Sequence, residues 1–473
     1  MGLGKRVHPA ICRTLVLILI KQRRQICAEL GSIASVCGRQ SSADALLQAS
    51  MRKTMDFALT PKMLEMQSNL QVFIDHHILP ANVEWHRAVE AGRYPMPLLD
   101  RLKDRAKAEG LWNLFLPGLR DDEPGTRLSN LEYAPLAEMM GRLPWCSEVF
   151  NCSAPDTGNM ELLHLFATEH QREHWLVPLL EGQLRSCIGI TEPDTASSDP
   201  TNLQTSIRRE GTQYIINGRK WFTSGALHPN AKFVIVMGLS DPRPDADPHA
   251  RHSMVIVPLN TPGLKIERNV AILNYLSADG HCEITYRDVQ VPISNLIGQE
   301  GQGFALAQAR LGPGRVHHCM RTIGQCEVAL ELMCERALEC KAFGKYLADF
   351  ANIQDWIAKS RIEIEQARLL TLKAAWIMDR SGNKFARTEV AAIKVVAARL
   401  QTRVVDRAIQ VFGAMGLTPD TPLAFLYTWG RALRFIDGPD EVHLRSIARE
   451  ELRKAKRNRR TMTDYLVPPM SRD

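Results

Sequence analysis

The sequence predicts an α+β fold, mostly α, with an N-terminal helical domain, a middle β-barrel or sandwich domain and a C-terminal four-helix bundle. Three observations carry this. Apolar residues recur at three- and four-residue steps up to about Arg185, as buried helix faces require. From Ser186 to about Leu296 the pattern changes to short β-branched runs. After the turn Gly298-Gln299-Glu300-Gly301-Gln302-Gly303 the helical step returns and lasts to about Lys456. A length of 473 residues suggests about three structural units at roughly 150 residues each. The expected division is 1–54, 55–185, 186–297, 298–456 and a tail at 457–473.

Composition is that of a globular chain, 45% hydrophobic and 23% charged, which excludes collagen, a disulfide scaffold and disorder. No apolar run approaches the ~18 residues of a membrane span. The 11 cysteines form no CxxC pairs and read as reduced thiols. The net charge of +7 is local: residues 1–54 hold nine Lys or Arg against Glu29 and Asp44, and the rest is balanced. A nucleic-acid partner is therefore not expected. That basic, acid-poor segment reads either as a targeting segment or as an extension outside the fold.

In order along the body, Leu64, Leu70, Phe73, Ile74 and Ile78 mark a first helix that Pro80 should end. Leu98, Leu99, Leu102 and Ala106 mark a second, stopped by Gly110, and further helical segments follow at 131–140 and 161–180. Strands are expected at 187–190, 213–216, 233–237, 254–257 and 282–286, with a hairpin turn at Asn217-Gly218. Residues 241–248, rich in Pro and Asp, read as a surface loop. Long helices are expected at 304–311, 316–340, 353–379 and 388–412.

Four clusters invite a chemical reading. The glycine stretch 298–303 lacks the GK[ST] ending of a phosphate loop and is better read as a turn. His317, His318, Cys319, Cys326, Cys334 and Cys340 do not share one helix face, so no metal site is expected. Thr191-Glu192-Pro193-Asp194-Thr195-Ala196-Ser197-Ser198-Asp199 is a hydroxyl- and carboxylate-rich loop leaving a strand, suited to a polar ligand. In Ile436-Asp437-Gly438-Pro439-Asp440-Glu441-Val442-His443, helix capping by Asp437 or Asp440 competes with a chemical role.

Five motifs in order resemble the acyl-CoA dehydrogenase family: TEPDTASSD at 191–199, INGRKWFTSG at 216–225, FGK at 343–345, AIQVFGAMG at 408–416 and IDGPDEVHLRSIARE at 436–450. LGPGR at 311–315 and DGPDEVH at 437–443 look most like the branch that eukaryotes often fuse behind a kinase-like domain, for which 54 preceding residues leave no room. The resemblance implies FAD as cofactor, an acyl-CoA substrate, an electron-transfer flavoprotein as acceptor and a homodimer or homotetramer. It places the α-proton base at Asp437, one methylene shorter than the usual Glu, with Asp440 a distant second. The alternative base position falls on Gly314, which has no side chain.

The same resemblance puts Ile190 and Thr191 against the isoalloxazine ring, with Ser198 by the phosphates or thioester and Ser197 able to exchange with it. Trp221 would stack on the ring and Thr223 or Ser224 would bond near N5. Gln410, Gly413 and Gly416 would pass the adenosine diphosphate part, with Glu441 at the adenine end. Arg315, and Gly438 on the base turn, would meet the substrate thioester and pantetheine. The main departure is Cys340, where the family usually has an Arg that reaches the pyrophosphate of the next subunit. Lys341 or Arg336 would have to replace it. An oxygen-using acyl-CoA oxidase and a catalytically weak binding or assembly relative stand as alternatives. The expected location is the cytoplasm of a bacterium or the mitochondrial matrix of a eukaryote.

Overall fold

The computed structural model describes residues 58–457. The basic segment 1–54 and residues 458–473 of the tail lie outside the described residues.

Helix α1 (Pro61–Phe73) starts under Thr60, whose hydroxyl accepts from the Met63 N–H at 3.3 Å, with Pro61 in the first turn. Pro80 does not end this run. A π-helical turn at Ile74–Ile78 comes first, and the chain continues as α2 (Leu79–Glu90). The wider turn absorbs the hydrogen bond that Pro80 cannot donate. Helix α3 (Met96–Ala108) buries Leu98, Leu99, Leu102 and Ala106, and Gly110 at φ +71° follows it. A Ser129–Glu132 capping box starts α4 (Asn130–Gly141), and α5 (Asp156–Phe166) follows.

The middle of the chain is one curled seven-stranded sheet. Its strands are β1 (Arg185–Gly189), β2 (Ser206–Glu210), β3 (Gln213–Ser224), β4 (Ala231–Leu239), β5 (His252–Pro258), β6 (Leu264–Asn269) and β7 (His281–Pro292). The order is β1-β4-β2-β3-β7-β6, with β5 also paired to β4. The hairpin expected at Asn217-Gly218 is absent. The turn lies at Gly211-Thr212, with Glu210 opposite Gln213, and β3 runs straight through Asn217-Gly218. There β3 bulges against β7. Gly218 holds φ +153° with Thr205 so close that a Cβ would lie 2.5 Å from its hydroxyl. The Asn217 side chain pairs with Asp288 of β7, donating to Oδ1 at 2.9 Å and accepting from its N–H at 2.8 Å. β2 and β6 were not marked by their apolar pattern; β2 buries only Ile207 fully, and β6 buries no residue fully.

The C-terminal part is built on α6 (Gly303–Glu339), α7 (Ala351–Ser381), α8 (Arg387–Phe412), α9 (Leu423–Leu433) and α10 (Asp440–Arg457). Between α6 and α7 a small hairpin pairs β8 (Lys341–Ala342) with β9 (Lys345–Tyr346). Where the sequence suggested two helices interrupted at 312–315, α6 is one element of 37 residues that contains Pro313. One core joins the N-terminal helices, one face of the sheet and the start of α6; a second fills the bundle and a third the sheet's other face.

His317 is buried edge-on between Phe115 and Tyr133, and Cys319 and Cys326 are buried thiols. Among the described residues no group of three or more His, Cys, Asp or Glu could hold a metal ion. Among them, too, no helix is long and apolar enough to cross a membrane.

Candidate active site

Between α9 and α10 the chain makes a tight turn through 434–439. Asp437 sits there at φ +56°, a left-handed conformation that a non-glycine residue keeps where its surroundings impose it, followed by Gly438 at φ +109°, which glycine adopts freely. The surroundings are visible. Lys394 of α8, wholly buried, donates its ammonium to the Leu433 carbonyl. The Gly438 N–H returns to the Phe435 carbonyl at 3.1 Å, and Arg315 of α6 donates from Nε to the Asp437 carbonyl at 2.9 Å. The two acids of the turn have different jobs. Asp440 is 1% exposed and accepts from Arg399 Nε and Arg434 Nε, each at 2.9 Å. The Asp437 carboxylate faces α6, with Oδ2 3.5 Å from His318 Nε2. Neither carboxylate accepts from a backbone N–H at the start of α10, so capping does not account for them.

The opposing face of α6 carries Arg310, Gly314, His318 and Arg321, at steps of four, four and three that keep them on one side. A Cβ at Gly314 would lie 3.9 Å from Asp437 Oδ2 and would meet no other atom within 4 Å. The missing side chain therefore leaves open volume in front of the carboxylate. Burial alone would raise the Asp437 pKa, but His318, once its ring is protonated in acid, together with Arg310, Arg315 and Lys394 outweighs it and holds the carboxyl below its usual range. The same burial lowers His318 and His443 to about 4 each, so both imidazoles are neutral at neutral pH.

The second half of the site is where β1 ends. Ile190 and Thr191, both half-buried, lead into the polar loop. The wholly buried Lys220 of β3 donates to the Ile190 carbonyl at 2.8 Å and to Glu192 Oε1 at 2.7 Å. Glu192 also accepts the Gln204 N–H at 2.8 Å and the Thr205 N–H at 2.9 Å. Burial pushes the Lys220 pKa down to about 8, and the Lys220 charge holds Glu192 below its usual range despite its own burial. The Trp221 N–H closes the arrangement on the Thr191 carbonyl at 3.0 Å.

β3 bulges a second time between Lys220 and Thr223, with Phe222 at φ +50°. Bulges of this kind re-aim side chains. Here the Trp221 indole N–H and the Thr223 hydroxyl are buried with no hydrogen-bond partner among the described residues. Ser224 Oγ lies 2.8 Å from His281 Nδ1. Of the two serines that the sequence left interchangeable, Ser197 is turned into its own loop, accepting the Glu192 N–H at 2.9 Å, while Ser198 is exposed.

The remaining expected contacts lie on the bundle. Gln410 and Gly413 are exposed at the end of α8, where Gly413 at φ +63° terminates the helix. Gly416 is buried, and a Cβ there would sit 2.9 Å from the Ile409 Cα. Glu441 is exposed in the first turn of α10. Cys340 is half-buried at the end of α6, and its carbonyl accepts the Leu347 N–H at 2.9 Å. Of its two possible substitutes, Lys341 stacks on Tyr346, while Arg336 leans on Phe412 with its Nε buried and unpartnered. Sequence reasoning missed Lys220, Glu192, Lys394 and His318 as site residues. Only Glu192 and Lys220, lying inside recognised motifs, offered any signal.

The structure thus joins a helical domain, a curled sheet and a helical bundle, the three-part architecture that the motifs of the sequence led us to expect. Comparison with known proteins agrees. Models of the acyl-CoA dehydrogenase N-terminal, middle and C-terminal domains match residues 60–183, 187–289 and 301–452. The chain is 53% identical over 407 residues to the acyl-CoA dehydrogenase homologue FadE2 of Mycobacterium tuberculosis, covering 85% of this chain and 98% of that protein. It is 50% identical over 396 residues to acyl-CoA dehydrogenase family member 11 of Gallus gallus, covering 82% of this chain but 50% of that protein; it spans about half the length of such vertebrate relatives. An acyl-CoA dehydrogenase homologue from Mycobacterium abscessus superimposes with a TM-score of 0.79 at 46% identity, covering 84% and 99% of the two chains. Butyryl-CoA dehydrogenase from Megasphaera elsdenii gives 0.70 at 27% identity, covering 84% and 100%. The chain belongs to the acyl-CoA dehydrogenase family, and is thus a flavoprotein oxidoreductase. The residues present fit the family's FAD: β3 carries a buried indole N–H and a buried hydroxyl that have no partner among the described residues, polar groups that the edge of a flavin would satisfy.

Proposed function

We propose that the enzyme removes two hydrogens across Cα and Cβ of an acyl-CoA thioester, giving the trans-2-enoyl-CoA, with Asp437 as the α-proton base. One observation carries this reading: a carboxylate held ionised, on a strained turn, faces volume that Gly314 leaves open. FAD, when bound, supplies the acceptor for the hydride. Asp437 Oδ2 takes the proton from Cα. The Asp437 backbone N–H has no acceptor among the described residues and is available to the thioester oxygen, where charge develops as the proton leaves. Arg315 and Lys394 keep the turn in place through its carbonyls. Lys220 and Glu192 set the position of Thr191, and Trp221 offers its ring face. Family membership supports an electron-transfer flavoprotein as the acceptor of the electrons; the location we propose is the cytoplasm if the source is bacterial and the mitochondrial matrix if it is eukaryotic. The exposed apolar side chains of the C-terminal part, Phe343, Leu417, Leu338 and Leu452 among them, support a homodimer or homotetramer.

The test is anaerobic bleaching of the holoenzyme by a panel of acyl-CoAs, run on wild type and Asp437→Asn. The variant should keep its flavin and bind acyl-CoA, while flavin reduction falls by about 10²–10⁴. An Asp437→Asn enzyme as fast as wild type would remove the carboxylate from the mechanism. Rapid turnover in air with release of peroxide would replace the flavoprotein acceptor by oxygen.

A further inference from the structure

We propose that His318 is a positioning residue for the proton transfer: its Nε2–H steadies the Asp437 carboxylate, and Arg321 fixes the imidazole in the tautomer that does so. This rests on the reading of Asp437 as the base.

His318 lies on the α6 face that also carries Arg310, Gly314 and Arg321. Arg321 extends one arm, Nη1, to the Cys152 carbonyl at 3.3 Å and the other, Nη2, to His318 Nδ1 at 3.3 Å. A guanidinium has donors and no acceptor, so Nδ1 must accept. The proton of the neutral ring is then on Nε2. That nitrogen is the one 3.5 Å from Asp437 Oδ2. At 3.5 Å the two groups are within ion-pair reach but longer than a formed hydrogen bond, so a small adjustment of the turn or the ring would close it. Among the described residues, His318 is the only side chain within ion-pair reach of this carboxylate.

The electrostatics agree with a neutral donor rather than an ion pair. Burial lowers His318 to about 4, against the opposing pull of Asp437, with Arg321, Lys394 and Arg310 adding to the lowering. The charged and titratable groups facing Asp437 are Arg310, Arg315, His318 and Cys319 on α6, Lys394 on α8 and His443 on α10. A relay outward through His318 is disfavoured, because Nδ1 already faces a donor. What remains is aim. An aspartate reaches one methylene less far than a glutamate, on a backbone held at φ +56°, and a misplacement of about 1 Å can cost on the order of 10²-fold.

The test uses the full-length holoenzyme with His318→Gln, His318→Asn and His318→Leu. A glutamine amide nitrogen stands near the place of Nε2; an asparagine amide oxygen stands near the place of Nδ1, where it accepts from Arg321, but the side chain falls short of Asp437. The rate of anaerobic flavin reduction by acyl-CoA is followed against pH. His318→Asn and His318→Leu should slow reduction about tenfold, with flavin content and acyl-CoA binding kept. Their acid limb should move to higher pH, because a carboxylate that loses a donor is easier to protonate. His318→Gln should recover most of the rate and of the acid limb.

A second readout is independent of activity. Nitrogen-15 spectra of histidine-labelled protein, with His318 assigned by its loss in His318→Gln, should show the Nε2-protonated tautomer, and Arg321→Met should disturb it. An unmoved acid limb in His318→Leu, equal rates for His318→Asn and His318→Gln, or an Nδ1-protonated ring would each overturn the proposal. Asp437→Asn run in parallel separates the two failures. If it is inactive while His318→Leu matches wild type, this inference alone falls. If it matches wild type, the base reading falls and takes this one with it.

Discussion

At the scale of single residues, the site is a set of departures whose partners are now visible. Asp437 is shorter than the usual glutamate, and the strained turn with its clamps from Arg315 and Lys394 brings the backbone to where a shorter arm serves. Asp440, the other candidate base, is committed to Arg399 and Arg434 and lacks room to act. Cys340 has no such compensation in its own side chain, since a thiol cannot reproduce a bidentate guanidinium–phosphate contact. Cys340→Arg should therefore tighten FAD binding. A charge-assisted phosphate bond contributes about 1.5–3 kcal/mol, or roughly tenfold to a hundredfold in affinity. Titration of the apoprotein with FAD measures it. Unchanged affinity would mean that another cation already fills the role, with Arg336, whose buried Nε has no partner, the first to examine.

At the scale of elements, most of the architecture was legible because periodicity is a local property. The change from a step of 3.6 to a step of two at Ser186, and back after Gly303, is written in consecutive residues. What was misread required knowing a distant neighbour. Asn217-Gly218 imitates a hairpin turn, and it becomes a bulge only because β7 pairs on both sides of it and Asp288 binds the Asn217 amide. Pro80 and Pro313 imitate helix ends but lie within continued helix. The site shows the same division. Asp437, Thr191 and Trp221 were reached through motifs, whereas His318 meets Asp437 across more than a hundred residues of chain, and no spacing reports that. The Lys220–Glu192 pair is an element-scale device of this kind, tying β3 to the loop that follows β1. Lys220→Met would leave Glu192 charged and buried, and removing one partner of such a pair costs about 3–5 kcal/mol. The two backbone N–H groups on Glu192 favour the lower end. Thermal melting should show the loss together with reduced flavin content, and Lys220→Met combined with Glu192→Gln should recover part of both. Equal melting temperatures for wild type and Lys220→Met would mean that the loop is held by something else.

For the whole molecule, the same buried histidines that shape the site set its response to acid. Burial lowers His317 to about 3, and His318 and His443 to about 4. Free histidine titrates near 6.5. Above that value the three rings are neutral in both the folded and unfolded chain. As pH falls from 6.5 toward 4 the unfolded chain binds protons that the folded one refuses, so stability drops, by about 1.4 kcal/mol per pH unit for each ring. Glu161 acts in the opposite sense. Burial raises its carboxyl to about 8, so the folded chain holds that proton where the unfolded one has lost it, and its effect favours the fold as pH falls from 8 toward 4.5. Three against one leaves a net loss on acidification, and carboxylates held low, such as Asp437 and Glu327, add to it below about 4.5. His317 isolates the effect. Both its ring nitrogens are without partners, and its ring packs edge-on against Tyr133 at 5.0 Å and Phe115 at 6.0 Å, so phenylalanine can take its place. Denaturant unfolding at pH 7 and pH 5.5 should show His317→Phe losing less stability than wild type, by about 1.3 kcal/mol in all, because the difference accrues only below about pH 6.5. Parallel pH dependences for the two proteins would mean that His317 takes up its proton equally in both states and that the acid response originates elsewhere.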